Sequence, residues 1–490
     1  MFELAFPESD ARHKEAVAGL RDAQEEPIHY SFSFEVARWL ARRCPGELSI
    51  DWNELDDTSR LDELLTQIRQ PSEDEYFDSG WVSSRDWIDT VRAGHVPSGC
   101  SRGTDFDWLM AQLTNKRLRP FWTQLYDAAE IPLVWNLVGS RYSKARNALT
   151  VTRPATRENG MRGRPRLPKN EIMRPLAKMR TLSPREGARL IDVAMASLAV
   201  RYRETYHFNY ANPREVYLAD VGEGISIAVF GLLPVHRFPL ECTMGYLILS
   251  NGVPIGYGGS SVLFKQVNTG VNIFDEFRGS EAAFLWTQVM RVYHALVGCT
   301  RFIANPYQFG GDNSEALKSG AFWFYYRLGY RPVLPAVRKL ALREDARIRR
   351  NRKYRSDIKT LRKLASCDMH LTLPGARASE LFDERWIETS SMLATEVLGA
   401  ADGKTRRESA AAVARKLARD LGSRSAQCGS LALAPIVASV QPATWSTADK
   451  RQTRELLLAN DGEHEAPYAR LLARHDKLLI SLRKTCRSAE

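Results

Sequence analysis

Long apolar runs are absent from this sequence of 490 residues. A membrane-spanning helix needs about 20 mostly apolar residues, and no stretch approaches that length. The first ten residues, MFELAFPESD, also lack the basic and apolar regions of a secretory signal. The sequence therefore predicts a cytoplasmic protein without a membrane span.

Cysteine is scarce and scattered. The seven cysteines form no CxxC pair and are odd in number, so neither a disulfide framework nor a zinc knuckle is expected. No metal-ligand spacing and no Ser-His-Asp pattern stands out. We expect no bound metal ion.

Charge is unevenly distributed along the chain. Residues 1–140 carry 14 basic and 25 acidic residues, whereas residues 141–185 carry 13 basic and 2 acidic ones. Residues 338–363 form a second basic block, with 12 basic and 3 acidic residues. Because a dedicated nucleic-acid protein seldom keeps a large acidic region beside its basic one, we expect the acidic and basic parts to dock on each other, within the chain or across a dimer.

Periodicity divides the chain into four regions. Apolar residues three and four apart predict an acidic helical domain over residues 1–140. Residues 141–182 carry four prolines and little periodicity, which is typical of a linker. Residues 183–335 alternate strand and helix patterns, and residues 336–490 return to helix-forming composition. The expected fold class is therefore mixed α+β, with helical regions at both ends.

The region 183–335 carries the clearest local signals. Ser183, Pro184 and Glu186 suit the N-cap, N1 and N3 positions of a helix. The strands EVYLAD and ISIAVFGLLP flank VGEG, and GYLILS and VPIGYGGSSVLF flank Asn251-Gly252, a hairpin signal. The strand TGVNIFDEF, the helix SEAAFLWTQVMRVYHALVG, the strand RFIANPYQF and the helix NSEALKSGAFWFYYRLG follow.

This order of elements resembles the GNAT superfamily of N-acyltransferases over residues 216–333. FDEFRGSEAAF resembles the family's Arg/Gln-x-x-Gly-x-Gly/Ala loop, which cradles the pyrophosphate of an acyl carrier. The Asn251-Gly252 hairpin with PIGYGG is similar to the family's second and third strands. DNSEALKSGAFWFYYRLGYRP is similar to the family's Asn-x-x-Ala…Tyr-x-x-x-Gly-Phe helix. The resemblance implies a GNAT-like, mainly antiparallel sheet flanked by helices.

The resemblance also implies a donor site and a reaction site. The donor is expected to be an acyl-CoA or the thioester of an acyl-carrier protein, and the acceptor a small-molecule amine. The expected donor-binding residues are Phe274, Phe277, Arg278, Gly279, Ser280, Ala282, Ala283 and Asn313. Tyr325, four residues before Gly329, matches the family's general acid, and we expect its surroundings to lower its phenol pKa. Glu276 is our choice of general base, because it lies one turn from the presumed cradle.

The strands around this loop give a geometric expectation. IGYGGSSV and TGVNIF should be antiparallel neighbours that diverge beyond Phe274, with the loop Arg278–Ala283 at the gap. Five successive aromatic residues follow in FWFYY, and they cannot all face one core because successive helical residues point about 100° apart. We expect Phe322, Tyr325, Tyr326 and Gly329 to pack on the sheet, and Trp323 and Phe324 to point elsewhere.

Two features depart from the family pattern. Glu281 stands where the family has its middle glycine, and a carboxylate at that point repels phosphate. Asn313 lies twelve residues before Tyr325, against about seven in the family, so a longer helix is expected. Apart from the resemblance, the loop fits an ordinary strand-to-helix turn with Ser280 as N-cap better than it fits an anion site.

Three classes of function remain open on the sequence. The first is an acyltransferase that moves an acyl group from a thioester donor to an amine. The second is a non-catalytic relative that binds a partner or metabolite, with Glu281 marking a lost cradle. The third is DNA association through RGRP, Arg162 to Pro165, which resembles the AT-hook core. No motif identifies the acceptor or the oligomeric state.

Overall fold

The structure, a computed structural model, describes residues 1–20, 25–80, 82–94, 103–279, 281–351, 353–423 and 429–489. The chain forms two compact units. Unit 1 comprises Met1, Lys14–Leu149 and Asp192–Asn209, and unit 2 comprises Phe2–His13, Thr150–Ile191 and Tyr210–Glu490.

The helices are numbered in chain order. They are α1 (Phe2–Ala5), α2 (Asp10–Gly19), α3 (Phe34–Arg43), α4 (Ser59–Thr66), α5 (Asp74–Asp78), α6 (Ser84–Gly94), α7 (Asp105–Gln112), α8 (Arg119–Ala129), α9 (Pro168–Met173), α10 (Pro184–Ala199), α11 (Tyr206–Asn209), α12 (Ala282–Val297), α13 (Ser314–Ser319), α14 (Ala321–Leu328), α15 (Pro335–Arg350), α16 (Ile358–Leu364), α17 (Arg385–Gly399), α18 (Arg406–Asp420), α19 (Ala434–Ser439), α20 (Thr447–Asn460), α21 (Glu465–Arg474) and α22 (Asp476–Ala489).

The strands are numbered in the same way. They are β1 (Ile28–Tyr30), β2 (Leu48–Ile50), β3 (Leu133–Trp135), β4 (Lys178–Thr181), β5 (Ala211–Gly222), β6 (Ile225–Leu232), β7 (Cys242–Ser250), β8 (Val253–Leu263), β9 (Gln266–Thr269), β10 (Asn272–Ile273), β11 (Arg301–Ala304), β12 (Arg331–Pro332) and β13 (Met369–Thr372).

Unit 1 combines helices with a small antiparallel sheet in the order β1-β3-β2. The helices were expected from the apolar periodicity of the sequence, and α3 buries Phe34, Trp39 and Leu40. The sequence predicted a mainly helical region, and the small sheet is an addition that was not predicted. Strands of three residues are too short to show a period-two pattern against the helical background.

Unit 2 is built on a large sheet in the order β12-β13-β11-β9-β8-β7-β6-β5-β4, with β10 paired to β8. Neighbouring strands are antiparallel except β9 and β11, which are parallel. Helix α12 connects this parallel pair and buries Trp286, Val289 and Tyr293. The chain is thus a mixed α/β protein with a large, mainly antiparallel sheet flanked by helices. This coarse fold class was predicted.

The predicted turn and cap chemistry of unit 2 is confirmed. Asn251 and Gly252 have φ values of +47° and +78° between β7 and β8, as a two-residue hairpin turn of type I′ requires. At the start of α10, the Ser183 N–H donates to the Glu186 carboxylate at 3.0 Å, and the Glu186 N–H donates to the Ser183 hydroxyl at 3.4 Å. These two bonds form the predicted capping box.

The predicted helix NSEALKSGAFWFYYRLG is two helices. Gly320 lies between α13 and α14 with φ of +68°, a left-handed conformation that glycine adopts without strain. The large spacing between Asn313 and Tyr325 therefore reflects a break and not a longer helix. Trp323 is buried beside Phe322 and Tyr326, and its predicted orientation away from the sheet stays a prediction.

The basic segment 141–182 contains helix α9 and strand β4, which pairs antiparallel with β5. Within unit 2 its arginines form ion pairs with carboxylates of the same unit: Arg157 with Glu281, Arg162 with Glu223 and Arg180 with Glu186. These pairs tie the segment to unit 2. The predicted contact with residues 1–140 is also present within unit 1, where the backbone N–H groups of Lys144 and Ala145 donate to the Glu25 carboxylate, each at 2.8 Å.

Candidate functional site

The parallel strands β9 and β11 stay paired for only three residues. The register is Arg301 to Gln266, Phe302 to Val267 and Ile303 to Asn268. Beyond Asn268 the chain continues along β8 through β10, whereas β11 ends at Ala304. We call the space beyond Asn268 and Ile303 the strand gap. The predicted antiparallel pairing of IGYGGSSV with TGVNIF is confirmed, but the divergence involves β9 and β11 and begins before Phe274.

At the strand gap, Gly270 and Val271 are not paired with β8, although the register with β8 is the same on both sides of them. Thr269 pairs with Ser260 and Asn272 with Tyr257, so Gly270 and Val271 lie between two correctly paired positions. The Gly270 carbonyl accepts a hydrogen bond from the Tyr246 hydroxyl. A backbone hydrogen bond also links Val271 to the Tyr325 hydroxyl. Side chains have therefore replaced a strand as partners of these backbone groups, as buried peptide groups require.

Tyr325 lies at the centre of this arrangement. It is buried against Trp286, Phe309 and Tyr330, with ring centroids 5.3 to 6.4 Å apart. Burial raises the pKa of Tyr325, and the hydrogen bond with Val271 opposes this rise only in part. The predicted lowering of its pKa is therefore wrong for this conformation, and the phenol holds its proton at neutral pH.

The side chain of Gln308 fills the space beside Gly270. A Cβ atom added to Gly270 would lie 1.8 Å from the Gln308 side-chain oxygen. Gln308 belongs to a short 3-10 helix, Pro306–Phe309, that follows β11. Just before that helix, Oδ1 of Asn305 is buried without a hydrogen-bond partner among the described residues. A ligand entering the strand gap from this side must displace Gln308.

The loop after β10 does not present a free cation. The Arg278 guanidinium forms ion pairs with Asp275 at 2.7 Å and with Glu315 at 2.6 Å. Gly279 has φ of +84° and is exposed. Ser280 lies outside the described residues. Arg278 thus lies on the predicted loop, but its guanidinium is already paired with two carboxylates.

Glu281 is the most heavily bonded residue of this loop. Its carboxylate accepts hydrogen bonds from Nε and Nη2 of Arg157 at 2.9 and 3.3 Å, and from the Arg162 backbone N–H at 2.8 Å. Arg157 also lies over the Phe6 ring, 5.4 Å from its centroid. We call Glu281, Arg157 and Arg162 the Glu281 anchor. It holds residues 157–162 beside the first turn of α12.

The other predicted site residues have mainly structural contacts. Phe274 stacks on Tyr257 with ring centroids 5.4 Å apart, and the buried Phe277 packs on Phe2 and Phe6. Ala282 and Ala283 are partly buried in the first turn of α12. The Asn313 side chain caps α13 by accepting the Ala316 N–H at 3.0 Å.

The predicted base, Glu276, is exposed on the turn Asp275–Phe277 that follows β10. The AT-hook-like segment is partly committed elsewhere in unit 2. Arg162 pairs with Glu223 at 2.6 Å and covers the Phe284 ring at 5.0 Å.

Sequence reasoning missed the residues that organise the strand gap. Gly270, Val271, Tyr246 and Gln308 match no motif, and only the glycine in a strand pattern carried a signal of close approach. Arg157 was also missed, because it pairs with Glu281 across more than a hundred residues of chain.

Other classes of site have little support in the described part of the chain. No helix there combines the length and apolar character needed to cross a membrane. His, Cys, Asp and Glu side chains form no group of three that could hold a metal ion, again among the described residues. Comparisons with protein-family models, curated proteins and solved structures found no match to this chain.

Proposed function

We propose that unit 2 is a GNAT-like acyltransferase that moves an acyl group from a thioester donor to an amine. The observation that carries this proposal is the strand gap, where the Val271 backbone meets the Tyr325 hydroxyl. Acyl transfer needs a hydrogen-bond donor that stabilises the carbonyl oxygen and a proton for the leaving thiolate. The Val271 N–H and the Tyr325 hydroxyl are groups of these two kinds at one point.

The reaction follows from these two groups. The thioester carbonyl replaces the Tyr325 oxygen as the acceptor of the Val271 N–H, which stabilises the oxyanion as the amine attacks. A C–N bond forms and the C–S bond breaks. Tyr325 donates its proton to the departing sulfur, and the raised pKa of its buried phenol works against this donation. The amine loses its proton to water, and Glu276 is the proposed acceptor of that proton.

The Glu281 anchor favours a carrier-bound donor over free acyl-CoA. A nucleotide pyrophosphate at the start of α12 would meet the Glu281 carboxylate, and Arg278 is already paired with Asp275 and Glu315. A thioester on the arm of an acyl-carrier protein needs no nucleotide contact. We therefore propose an acyl-carrier protein as the donor and a small-molecule amine as the acceptor.

Release of free thiol from acetyl-CoA and from an acetyl-loaded carrier protein, with a panel of primary amines, tests this function. Tyr325→Phe should lower kcat by about 100-fold or more, the scale of general acid catalysis, with little change in donor binding. Tyr326→Phe is the matched control, because it removes a hydroxyl from the neighbouring buried position of α14. Equal turnover of the Tyr325→Phe and parent proteins would exclude the general-acid role.

A second candidate is a non-catalytic binding protein of the same fold. The Glu281 anchor favours it, because a buried ion pair now occupies the turn where the family binds its donor. This second candidate would be supported if both the parent and the Tyr325→Phe proteins bind the donor but release no thiol with any of the amines.

A further inference from the structure

A cavity lies at the β12 edge of the large sheet. It has a volume of about 410 Å³ and is lined by residues of β11, β12, β13 and α15, together with Lys169 and Gly329. This volume falls in the range of small-molecule sites, which is about 300–1,000 Å³. We call it the basic cavity.

The strand register places four polar side chains on one face of this sheet edge. Arg331 pairs with His370, and Arg301 pairs with Thr372. Directly opposed residues of antiparallel strands share a face, as do residues two apart on one strand. Arg301, Arg331, His370 and Thr372 therefore project from the same side of the sheet, and all four line the cavity.

Hydrogen bonds to backbone carbonyl oxygens hold the arginines of the basic cavity in place. The guanidinium groups of Arg301 and Arg338 donate to the carbonyl oxygens of Arg377 and Pro332, each at 3.1 Å. Arg331 donates to the carbonyl oxygens of Tyr326 and Tyr330 and lies over the Tyr326 ring. Within the described part of the chain, neither these three arginines nor Lys169 forms an ion pair.

The carboxylate that acts on Arg301 is already bound. Glu380 attracts Arg301 electrostatically, but its oxygens accept hydrogen bonds from Lys265 at 2.9 Å and from the Arg377 side chain and backbone N–H at 3.0 and 2.9 Å. Burial, Arg301 and Arg338 together lower the pKa of His370 to about 4. The cavity therefore keeps a net positive field around a neutral imidazole.

We propose that the basic cavity binds a small organic phosphate. Guanidinium forks match phosphate oxygens in pairs, and Lys169 supplies a further point charge. Val333, Leu342 and Leu381 form apolar lining for the organic part of such a ligand. Gly329, with φ of +107°, adds no side chain to this space.

The basic cavity is separate from the strand gap. Arg301 is the first residue of β11, and Asn305 follows its last residue. Four residues of strand span about 13 Å. The phosphate site therefore rests on observations independent of the acyltransferase proposal.

Titration calorimetry of the full chain with inorganic pyrophosphate and with AMP tests this site. Arg338→Gln should weaken binding about tenfold or more, the scale of one charge-assisted hydrogen bond. Arg343→Gln is the matched control, because it removes the same charge from an exposed position of the same helix outside the cavity. It should leave the affinity nearly unchanged.

Three results would overturn the proposal. Absence of binding by the parent protein at millimolar pyrophosphate and AMP would exclude the site. Equal losses of affinity in the Arg338→Gln and Arg343→Gln proteins would show that binding depends only on the general positive charge of α15. Binding of citrate but of neither phosphate compound would assign the cavity to carboxylates instead.

Discussion

Removal of the Glu281 carboxylate tests the energetics of the Glu281 anchor. The side chains of Glu281 and Arg157 are 0% and 4% exposed, so water screens their attraction very little. Glu281→Gln leaves the Arg157 charge buried without compensation. Breaking a buried pair in this way costs about 3–5 kcal/mol of unfolding free energy. Nη1 of Arg157 already lacks a hydrogen-bond partner among the described residues, so this charge has little alternative compensation.

An exposed ion pair of the same segment gives the matched control. Arg162 and Glu223 are 38% and 49% exposed, and pairs of that kind contribute about 0–1 kcal/mol. Glu223→Gln should therefore change the unfolding free energy far less than Glu281→Gln. Urea unfolding, with peptide-resolved hydrogen exchange to assign the loss to unit 2, measures both variants.

A double-mutant cycle separates the pair from its two members. Arg157→Met removes the buried charge, so Arg157→Met combined with Glu281→Gln should cost much less than the sum of the two single changes. Additive effects, or a loss below about 1 kcal/mol for Glu281→Gln, would refute the interpretation of Glu281 as a buried anchor.

Three further predictions concern the strand gap and the effects of pH. Gln308→Ala should strengthen thioester binding, measured by titration calorimetry with an acetyl-loaded carrier protein, because its side chain occupies the space beside Gly270. Sulfate keeps its charge between about pH 7 and 5, and it should bind the basic cavity more tightly as pH falls. The reason is that a bound anion raises the pKa of His370 from its lowered value of about 4 and so favours its protonation. His370→Gln should remove this pH dependence. Burial raises the pKa of Glu465 from 4.5 to about 7, so between these pH values the folded state holds a proton that the unfolded state has lost. The free energy of unfolding should therefore fall by about 3 kcal/mol as pH rises from 4.5 to about 7. Glu465→Gln should reduce this fall in urea titrations.

Local chemistry made much of unit 2 predictable. The type I′ turn at Asn251-Gly252 and the capping box at Ser183 are decided by residues within a few positions of each other. Helix α12 was predicted from its apolar pattern for the same reason. The GNAT-like interpretation of the donor site remains a prediction, because Phe274, Phe277 and Asn313 have mainly structural contacts here.

Features that depend on distant parts of the chain were not predictable. Strand β13 has four residues and joins the sheet between β12 and β11, and so short a strand carries almost no periodic signal. The Glu281 anchor joins residues 124 positions apart. The release of Val271 from the ladder depends on tyrosines from β7 and α14, which only the folded sheet brings together.

The Val271 amide resonance of valine-labelled protein tests the central claim most directly. The assignment follows from the Val271→Ile protein, which lacks that signal. On titration with an acetyl-loaded carrier protein, the Val271 N–H should exchange the Tyr325 oxygen for the thioester carbonyl, and its resonance should shift in proportion to occupancy. An unchanged Val271 resonance at saturating donor would contradict a reaction site at the strand gap.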